Sequence, residues 1–408
     1  MTAQVLCLLT IHGIGFEQAP QGGQPGYADV LHEQLSAALG ADLLGDDPHR
    51  KRSRPGQNGA IYVESLWAPS DDEEGQGPPT GPPTREEGLR RLGGWDAARP
   101  GVVDPEGAPL RADGQPIAHV ALVYSRLEPV GPHGGSAAVA LEMAAVSAGH
   151  YASILGLVHM AFADIRALLH HQHPAASAAP GLQPRRDLPP DHHWLRLPLR
   201  PHAAPAPAAP PPAGLLGTIR NLEDDVAAYV SRNDLRERVR SFVREALLRL
   251  LSRPDVAGVV INAHSNGTVV AFDVLRDLPL QLAAKVRGIV TAGSPLRKYA
   301  ELFNWGTEAG PIGAMGAWTN FWDELDPVAD PLSPPASWRR GDRLPAGGPA
   351  SLYQSTDPAT GEQSWIAIAD RKVDNIKNGG GGGLPAHDYW DNTREVVQPV
   401  AAELRGLV

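Results

Sequence analysis

A serine within a turn of small residues is the feature of this sequence that most clearly suggests chemistry. The apolar run 256–261 has the composition of a strand buried on both faces of a sheet. It leads into Ala-His-Ser-Asn-Gly, with Ser265 at the centre, and a helix-compatible run at 268–278 follows at once. A strand, a sharp turn with serine and a helix together predict a nucleophile elbow. Ala263 and Gly267 are small because larger side chains would prevent the close approach of strand and helix.

This stretch resembles the nucleophile motif of the α/β-hydrolases, and its A-H-S-x-G form resembles that of the small lipases of bacilli. A second segment carries the same resemblance, because the predicted strand 5–11 is followed by His-Gly-Ile-Gly, as in those lipases. In that family, one N–H from such a loop and one from the residue after the nucleophile form the oxyanion hole. The resemblance therefore implies Ile14 and Asn266 as the two donors. Candidates for the substrate pocket beside them are His12, Gly13 and His264.

The glycines of this loop also permit another interpretation, a phosphate-binding loop. The segment lacks the third glycine of a dinucleotide-binding fingerprint and the lysine of a P-loop. We therefore prefer the oxyanion hole.

The resemblance also implies an acid and a base, in the chain order Ser, Asp, His. His387 lies between a predicted last strand, 364–369, and a closing helix, 393–407, where the family keeps its base. Asp326 follows the predicted strand 318–322, lies midway between Ser265 and His387 in the sequence, and precedes Pro-Val, which stiffens a turn. Rival acids are Asp323, Asp330 and Asp388. Ser294, a rival nucleophile, is interpreted as part of a tight turn.

These residues would perform acyl transfer without a metal or an organic cofactor. His387 would accept the proton of the Ser265 hydroxyl, and Asp326 would orient the imidazole and stabilise the imidazolium. The alternative of a metal site comes from histidines in or beside the Pro/Ala-rich segment 174–213. Their spacing matches no compact ligand motif, so solvated side chains explain them better. They are His170, His171, His173, His192, His193 and His202.

The resemblance implies an α/β-hydrolase fold, with a mostly parallel central sheet flanked by helices. We expect a single domain over 1–408, with its core in 1–67, 117–124 and 219–408. The region 68–217 is predicted to be a large helical and Pro-rich insertion, which the small bacillus lipases lack.

One part of the insertion, 143–163, contains no Asp, Glu, Lys or Arg and is long enough to span a bilayer. Its histidines, serines and small residues lower its hydropathy, so a buried helix or an apolar helix beside the active site is preferred over a membrane anchor. Ile154 and Leu157 of this stretch are further pocket candidates, since an apolar face there would suit an acyl chain.

Charge and composition exclude several partners. The 408 residues carry a formal net charge of -10, and the pI is about 5.8. Such a balance argues against nucleic acid and against electrostatic docking on anionic lipid. The single cysteine, Cys7, fits a reducing compartment, and the first residues lack the features of a secretion signal. The sequence therefore predicts a cytoplasmic protein.

The expected function is that of a carboxylesterase or lipase, acting on a small-molecule or lipid ester through an acyl-enzyme. The same triad also serves thioesterases, amidases and acyltransferases. A non-catalytic binding module on the same scaffold is the alternative from a different class.

Overall fold

A central sheet of parallel strands organises the part of the protein that the computed structural model describes. The protein belongs to the α/β class, with helices flanking a mostly parallel sheet. The described residues are 4–13, 19–20, 25–40, 42–47, 59–65, 89, 92–93, 110, 114–124, 233–297, 299, 317–326, 328–333, 353–357, 360–379 and 385–408.

The strands of the central sheet are β1 (Val5–Ile11), β2 (Leu44–Gly45), β3 (Ile61–Glu64), β4 (Ile117–Val123), β5 (Val256–His264), β6 (Val286–Ala292), β7 (Trp318–Asp323) and β10 (Ile368–Val373). They run in the order β10-β7-β6-β5-β1-β4-β2, and β3 also pairs with β4. Each pairing within this sheet is parallel. A separate antiparallel pair consists of β8 (Gln354–Thr356) and β9 (Gln363–Trp365).

Helices cover both faces of the sheet, and alternate residues of β1 take part in the two layers. The described α-helices are α1 (Asp29–Leu39), α2 (Asn233–Ser252), α3 (Gly267–Arg276), α4 (Leu280–Ala283), α5 (Asn375–Asn378) and α6 (Gln398–Arg405), which continues a π-helical turn, Thr393–Val397. Leu9 packs in one cluster with α2 and α3, whereas Leu8 packs in the other with α1 and α6. Burial on both faces explains why the central strands are apolar runs.

The topology brings the carboxyl ends of β1 and β5 side by side. Thr10 pairs with Asn262, and Ile11 pairs with Ala263. After β1 the chain passes to the β4 side of the sheet, whereas after β5 it passes to β6 on the other side. Neighbouring strands whose connections leave in opposite directions form a switch point, where ligands of open α/β sheets bind.

The sequence predicted most of these elements. The strand predicted at 5–11 has the expected bounds, and those predicted at 256–261 and 318–322 continue to His264 and Asp323. One prediction was wrong, because the single last strand at 364–369 is two elements. Its first residues belong to β9, and β10 begins only at Ile368. Ile366, between them, donates its N–H to the Tyr353 carbonyl (2.9 Å) and so extends the pairing of β8 with β9.

Most of the predicted insertion 68–217, including 143–163, lies outside the described residues. Within the ranges that are described, no helix combines the length and the apolar character needed to cross a membrane.

A chain of buried polar groups passes through the apolar interior beside β1. The Asn262 amide donates to Thr10 Oγ1 (3.2 Å), which lies 2.7 Å from His119 Nε2. The Nδ1 atoms of His119 and His32 are 3.2 Å apart, and His32 Nε2 lies 3.0 Å from Asp46 Oδ1. One assignment satisfies every group, in which both imidazoles are neutral, Thr10 donates to His119, His119 donates to His32, and His32 donates to the carboxylate.

This arrangement makes stability depend on pH. Burial first, and then the charge of His32, lower the pKa of His119 well below its ordinary 6.5. Below pH 6.5 the unfolded chain therefore takes up a proton that the folded protein does not bind. The free energy of unfolding consequently falls as the pH falls below that value.

We expect His119→Gln to flatten this dependence, since glutamine does not titrate and its amide oxygen can still accept from Thr10. Between pH 6.5 and about 5, the wild-type free energy of unfolding should fall more steeply, by a difference approaching about 1.4 kcal/mol per pH unit. Urea unfolding followed by tryptophan fluorescence measures both proteins. Groups that titrate alike in both cancel in the difference, so parallel curves would contradict the prediction.

Candidate active site

Ser265 occupies a strained turn at the carboxyl end of β5. Its φ of 54° is the only positive value among the described residues other than glycine. Such a conformation costs about 1 to 3 kcal/mol and persists only where the surrounding structure imposes it. The Ser265 N–H donates to the Ala292 carbonyl (2.9 Å), and the Ser265 carbonyl accepts from the Thr268 N–H (3.0 Å) and hydroxyl (2.7 Å). These bonds hold the serine in the turn that the sequence predicted.

Gly267 allows the start of α3 to rest directly on the end of β1. A Cβ atom at this position would lie 2.6 Å from the Ile11 carbonyl oxygen and 2.6 Å from the His12 carbonyl carbon, and closer still to the His12 oxygen. Because these are backbone atoms, no side-chain rotation would relieve the overlap. The need for a small residue is thus confirmed at Gly267, although the close neighbour is β1 and not β5 itself.

Gly13 lies against the serine on the other side. A Cβ atom there would be 3.3 Å from Ser265 Oγ and 3.6 Å from the Asn266 backbone nitrogen. The absence of a side chain therefore leaves room next to both the hydroxyl and one predicted oxyanion donor. The Asn266 side chain is buried, and its carbonyl oxygen accepts from the Tyr299 hydroxyl (2.8 Å). Ile14, the other predicted donor, lies outside the described residues, as do Ile154 and Leu157.

The structure joins Asp326 to His387. The imidazole Nδ1 lies 2.8 Å from Asp326 Oδ2, and the Tyr389 hydroxyl donates to the same oxygen (2.8 Å). The Val328 N–H donates to Oδ1 (2.9 Å). A carboxylate can only accept, so Nδ1 of His387 carries the proton and Nε2 is left as the basic nitrogen.

These contacts keep the acid ionised although it is fully buried. Burial is the largest influence on the pKa of Asp326 and would raise it, but the charge of His387 and the hydrogen bonds from His387, Val328 and Tyr389 together lower it below 3.8. Burial, followed by the charge of Asp326, raises the pKa of Tyr389 well above 10, so its hydroxyl remains a donor. A carboxylate in these surroundings favours one imidazole tautomer and stabilises a positive charge on it.

The rival acids have other partners. Asp323 accepts from the N–H groups of Leu325 (2.8 Å) and Asn375 (2.7 Å), which fixes the backbone after β7. Asp388 shares a hydrogen bond with Asp391, and its pKa is raised to about 7 by burial and then by the charge of that neighbour. Asp330 is buried, and its N–H donates to the Ser294 carbonyl (3.2 Å). None of the three is hydrogen-bonded to His387 within the described residues.

Gly293 supports the imidazole from the strand next to Ser265. It has a φ of 63°, and a Cβ atom there would lie 2.7 Å from Cε1 and 2.9 Å from Nδ1 of His387. Ser265 is bonded to Ala292, the residue before this glycine. The serine and the glycine on which the imidazole packs therefore lie at the ends of adjacent strands. Nε2 of His387 has no hydrogen-bond partner in the described part of the chain, so its bond to Ser265 Oγ is not formed in this state.

Aromatic rings surround these groups. Two of the pocket candidates lie among them, since His12 stacks on Tyr124 (4.1 Å between centroids) and His264 contacts Trp390 (5.0 Å). Tyr27 contacts both the His12 ring (5.0 Å) and the Trp390 ring (5.8 Å). The site thus has an aromatic wall on the side of Trp390.

Sequence reasoning missed Tyr389 and Gly293. Tyr389 bridges the predicted acid and the end of β7, because its hydroxyl also accepts from the Asp323 N–H (2.8 Å). Its position two residues after His387 was the only available signal. Gly293 belongs to the Gly-Ser-Pro turn that was recognised, and the missing information was that the imidazole packs on it.

No group of three or more His, Cys, Asp or Glu side chains within the described ranges is arranged to hold a metal ion. Comparisons with models of protein families, with curated proteins and with solved structures find no match to this chain. The chemistry of the site therefore has to be argued from its geometry.

The contact at Gly267 leads to a prediction about stability. Alanine is favoured over glycine within helices by about 0.8 to 1 kcal/mol, yet we expect Gly267→Ala to destabilise the protein by at least about 2 to 3 kcal/mol because of the backbone overlap. Gly406→Ala is the matched control, since its Cβ would meet nothing closer than 3.5 Å, and should stay within about 0.5 kcal/mol. Chemical denaturation of both variants tests this. Equal stabilities of the two variants would show that the start of α3 and the end of β1 adjust freely to the added methyl group.

Proposed function

We propose that the protein is a serine hydrolase of the α/β-hydrolase fold that cleaves carboxylic esters. The observation that carries the proposal is the hydrogen bond between buried Asp326 and His387, formed next to a serine held at positive φ. A strained serine on a strand-to-helix turn and an imidazole oriented by a buried carboxylate are the parts of nucleophilic acyl transfer. The position of this group at the switch point of the sheet gives further support.

In the proposed reaction, Ser265 Oγ attacks the carbonyl carbon of the ester while His387 Nε2 accepts its proton. The unbonded state of Nε2 fits this role, because hydrogen bonds of catalytic groups often tighten only when substrate binds. Asp326 keeps the imidazole in the tautomer with a basic Nε2 and stabilises the imidazolium. His387 then returns the proton to the leaving alkoxide, and an acyl-enzyme remains until activated water releases the acid.

The carbonyl oxygen becomes negatively charged in the tetrahedral intermediate. The space next to Gly13 lies near both Ser265 Oγ and the Asn266 nitrogen, which supports a role for the Asn266 N–H in stabilising this oxyanion. The resemblance of the His-Gly-Ile-Gly loop to that of the small bacillus lipases implies the Ile14 N–H as the second donor. The aromatic wall suits a small-molecule or lipid ester with an apolar part.

The first test is the loss of the proposed nucleophile. We expect wild-type protein to be labelled by a fluorophosphonate probe and to hydrolyse at least one p-nitrophenyl ester in a series from acetate to palmitate. Ser265→Ala should abolish the labelling and reduce turnover to the small residue due to binding and the oxyanion hole. Circular dichroism establishes that the variant is folded.

A folded Ser265→Ala protein with near-native turnover would refute the assignment, and an unlabelled wild type would favour a binding module. Thioesters, amides and alcohol acceptors, supplied to the wild type with product analysis, separate esterase activity from the related acyl-transfer activities.

A second test compares two carboxylates that lie close together in the sequence. Asp326→Asn should favour the wrong imidazole tautomer and lower turnover by a factor on the order of 10⁴, the loss seen for the equivalent change in serine proteases. Asp323→Asn is the matched control, because the hydrogen bonds of this carboxylate with described residues come from backbone N–H groups. Its turnover should remain within about tenfold of wild type. Both are assayed on one short ester, and a greater loss at Asp323 would contradict the assignment of the acid.

A further inference from the structure

A second histidine connects the proposed base to the strand that carries the proposed nucleophile. His264 is the last residue of β5 and directly precedes Ser265. Its Nε2 lies 2.9 Å from the backbone carbonyl oxygen of His387. The two imidazole rings also pack against each other, with centroids 4.6 Å apart at an angle of 41°. The carbonyl can only accept, so Nε2 of His264 carries a proton and donates it to this bond.

The charge state of His264 is suited to this contact. Burial first, and then the neighbouring charge of His387, lower the pKa of His264 to about 3. His264 is therefore neutral at the pH at which His387 would act. A neutral partner is required, since the proposed reaction places a positive charge on the adjacent imidazole and two like charges at this separation would repel.

The other bonds of this segment lead to different elements. Nδ1 of His387 is bonded to Asp326 after β7, and the carbonyl of Ala386 accepts from the Asn375 amide of α5 (2.8 Å). These contacts fix the direction of the ring and the chain behind it. Of the hydrogen bonds that His387 forms with described residues, the one from His264 is the link to β5.

We propose that His264 is a positioning residue, which sets the distance between Ser265 and His387 by tying the His387 backbone to the nucleophile strand. The inference rests on the proposed function and extends it, because it assigns to the histidine of the Ala-His-Ser motif a task other than contact with substrate. A displacement of about 1 Å between reacting groups costs on the order of 10²-fold in rate. A single bond at this place can therefore control turnover.

Three variants separate the hydrogen bond from simple packing. His264→Gln places an amide N–H where Nε2 was, whereas His264→Asn carries the same amide one bond shorter and cannot reach the His387 carbonyl. His264→Leu retains apolar volume against Trp390 and removes the donor. Glutamine and asparagine are thus matched in chemistry and differ in reach.

Steady-state kinetics on one short ester give the first readout. We expect His264→Leu and His264→Asn to lower kcat by roughly 10- to 100-fold, with KM changed less than about twofold, because the loss lies in the geometry of proton transfer and not in binding. His264→Gln should restore most of the turnover. Thermal unfolding of the wild type and of each variant shows whether the four proteins are equally stable. A glutamine variant as slow as the leucine variant, or a loss that lies in KM, would overturn the proposal.

Amide hydrogen exchange of the segment 385–389 gives a readout that needs no substrate. Exchange should become faster in His264→Leu and His264→Asn and remain close to wild type in His264→Gln. Equal exchange in all four proteins would overturn the inference. The two proposals can fail separately. If the fluorophosphonate probe does not label Ser265 of the wild type, but exchange is still faster in His264→Leu and His264→Asn, the proposed function is refuted. The attachment of the His387 backbone to β5 would then still be established.

Discussion

The contact between the start of α3 and the end of β1 is the constraint on which the site depends. It exists because Gly267 has no side chain, which lets the helix approach the carbonyls of Ile11 and His12. The same approach brings Gly13 against Ser265, so the serine and the Asn266 N–H have fixed positions relative to this glycine. The strain of the positive φ at Ser265 is offset by three hydrogen bonds of its own backbone, to Ala292 and Thr268. A glycine thus sets the geometry around a serine that it does not itself activate.

A second constraint acts at the ends of β6 and β7. A buried carboxylate is unfavourable unless it is paired and hydrogen-bonded, and Asp326 meets this condition with the imidazole of His387, the hydroxyl of Tyr389 and the N–H of Val328. Movement of the His387 imidazole away from Asp326 would leave a buried carboxylate with one partner fewer, so the burial of Asp326 favours the observed position of the ring. The proposed nucleophile lies at the end of β5, whereas the proposed base lies in the segment between α5 and the closing helix. Their alignment has to be imposed by contacts between these two parts of the chain, such as the His264 bond to the His387 backbone.

Sequence patterns were sufficient for the elements but not for the contacts. Buried parallel strands are continuous apolar runs, which is why β1 could be placed to the residue. The same signal failed at 364–369, because apolar residues there belong first to a short antiparallel pair and then to β10. The choice between Asp323 and Asp326 depends on three residues of chain and on the partners Leu325, Asn375 and His387, which only the fold brings together. The role of Tyr389 is likewise a tertiary contact, and no local pattern distinguishes it from other tyrosines.

The buried polar network beside β1 specifies the register of a strand whose apolar residues alone would not. In a parallel sheet with two covered faces, neighbouring strands of Val, Ile and Leu would fit almost as well after a slip, because the hydrophobic pattern alone specifies the register weakly. Thr10 bonds to Asn262 on β5 and lies within hydrogen-bond distance of His119 on β4, so it marks one register on each side of β1. A slip of β1 would leave these groups buried without partners, at a cost of about 1 to 3 kcal/mol for each.

We infer that this network fixes the level at which β1 ends relative to β5. That level decides whether Gly13 faces Ser265, so the polar interior and the candidate site depend on the same alignment.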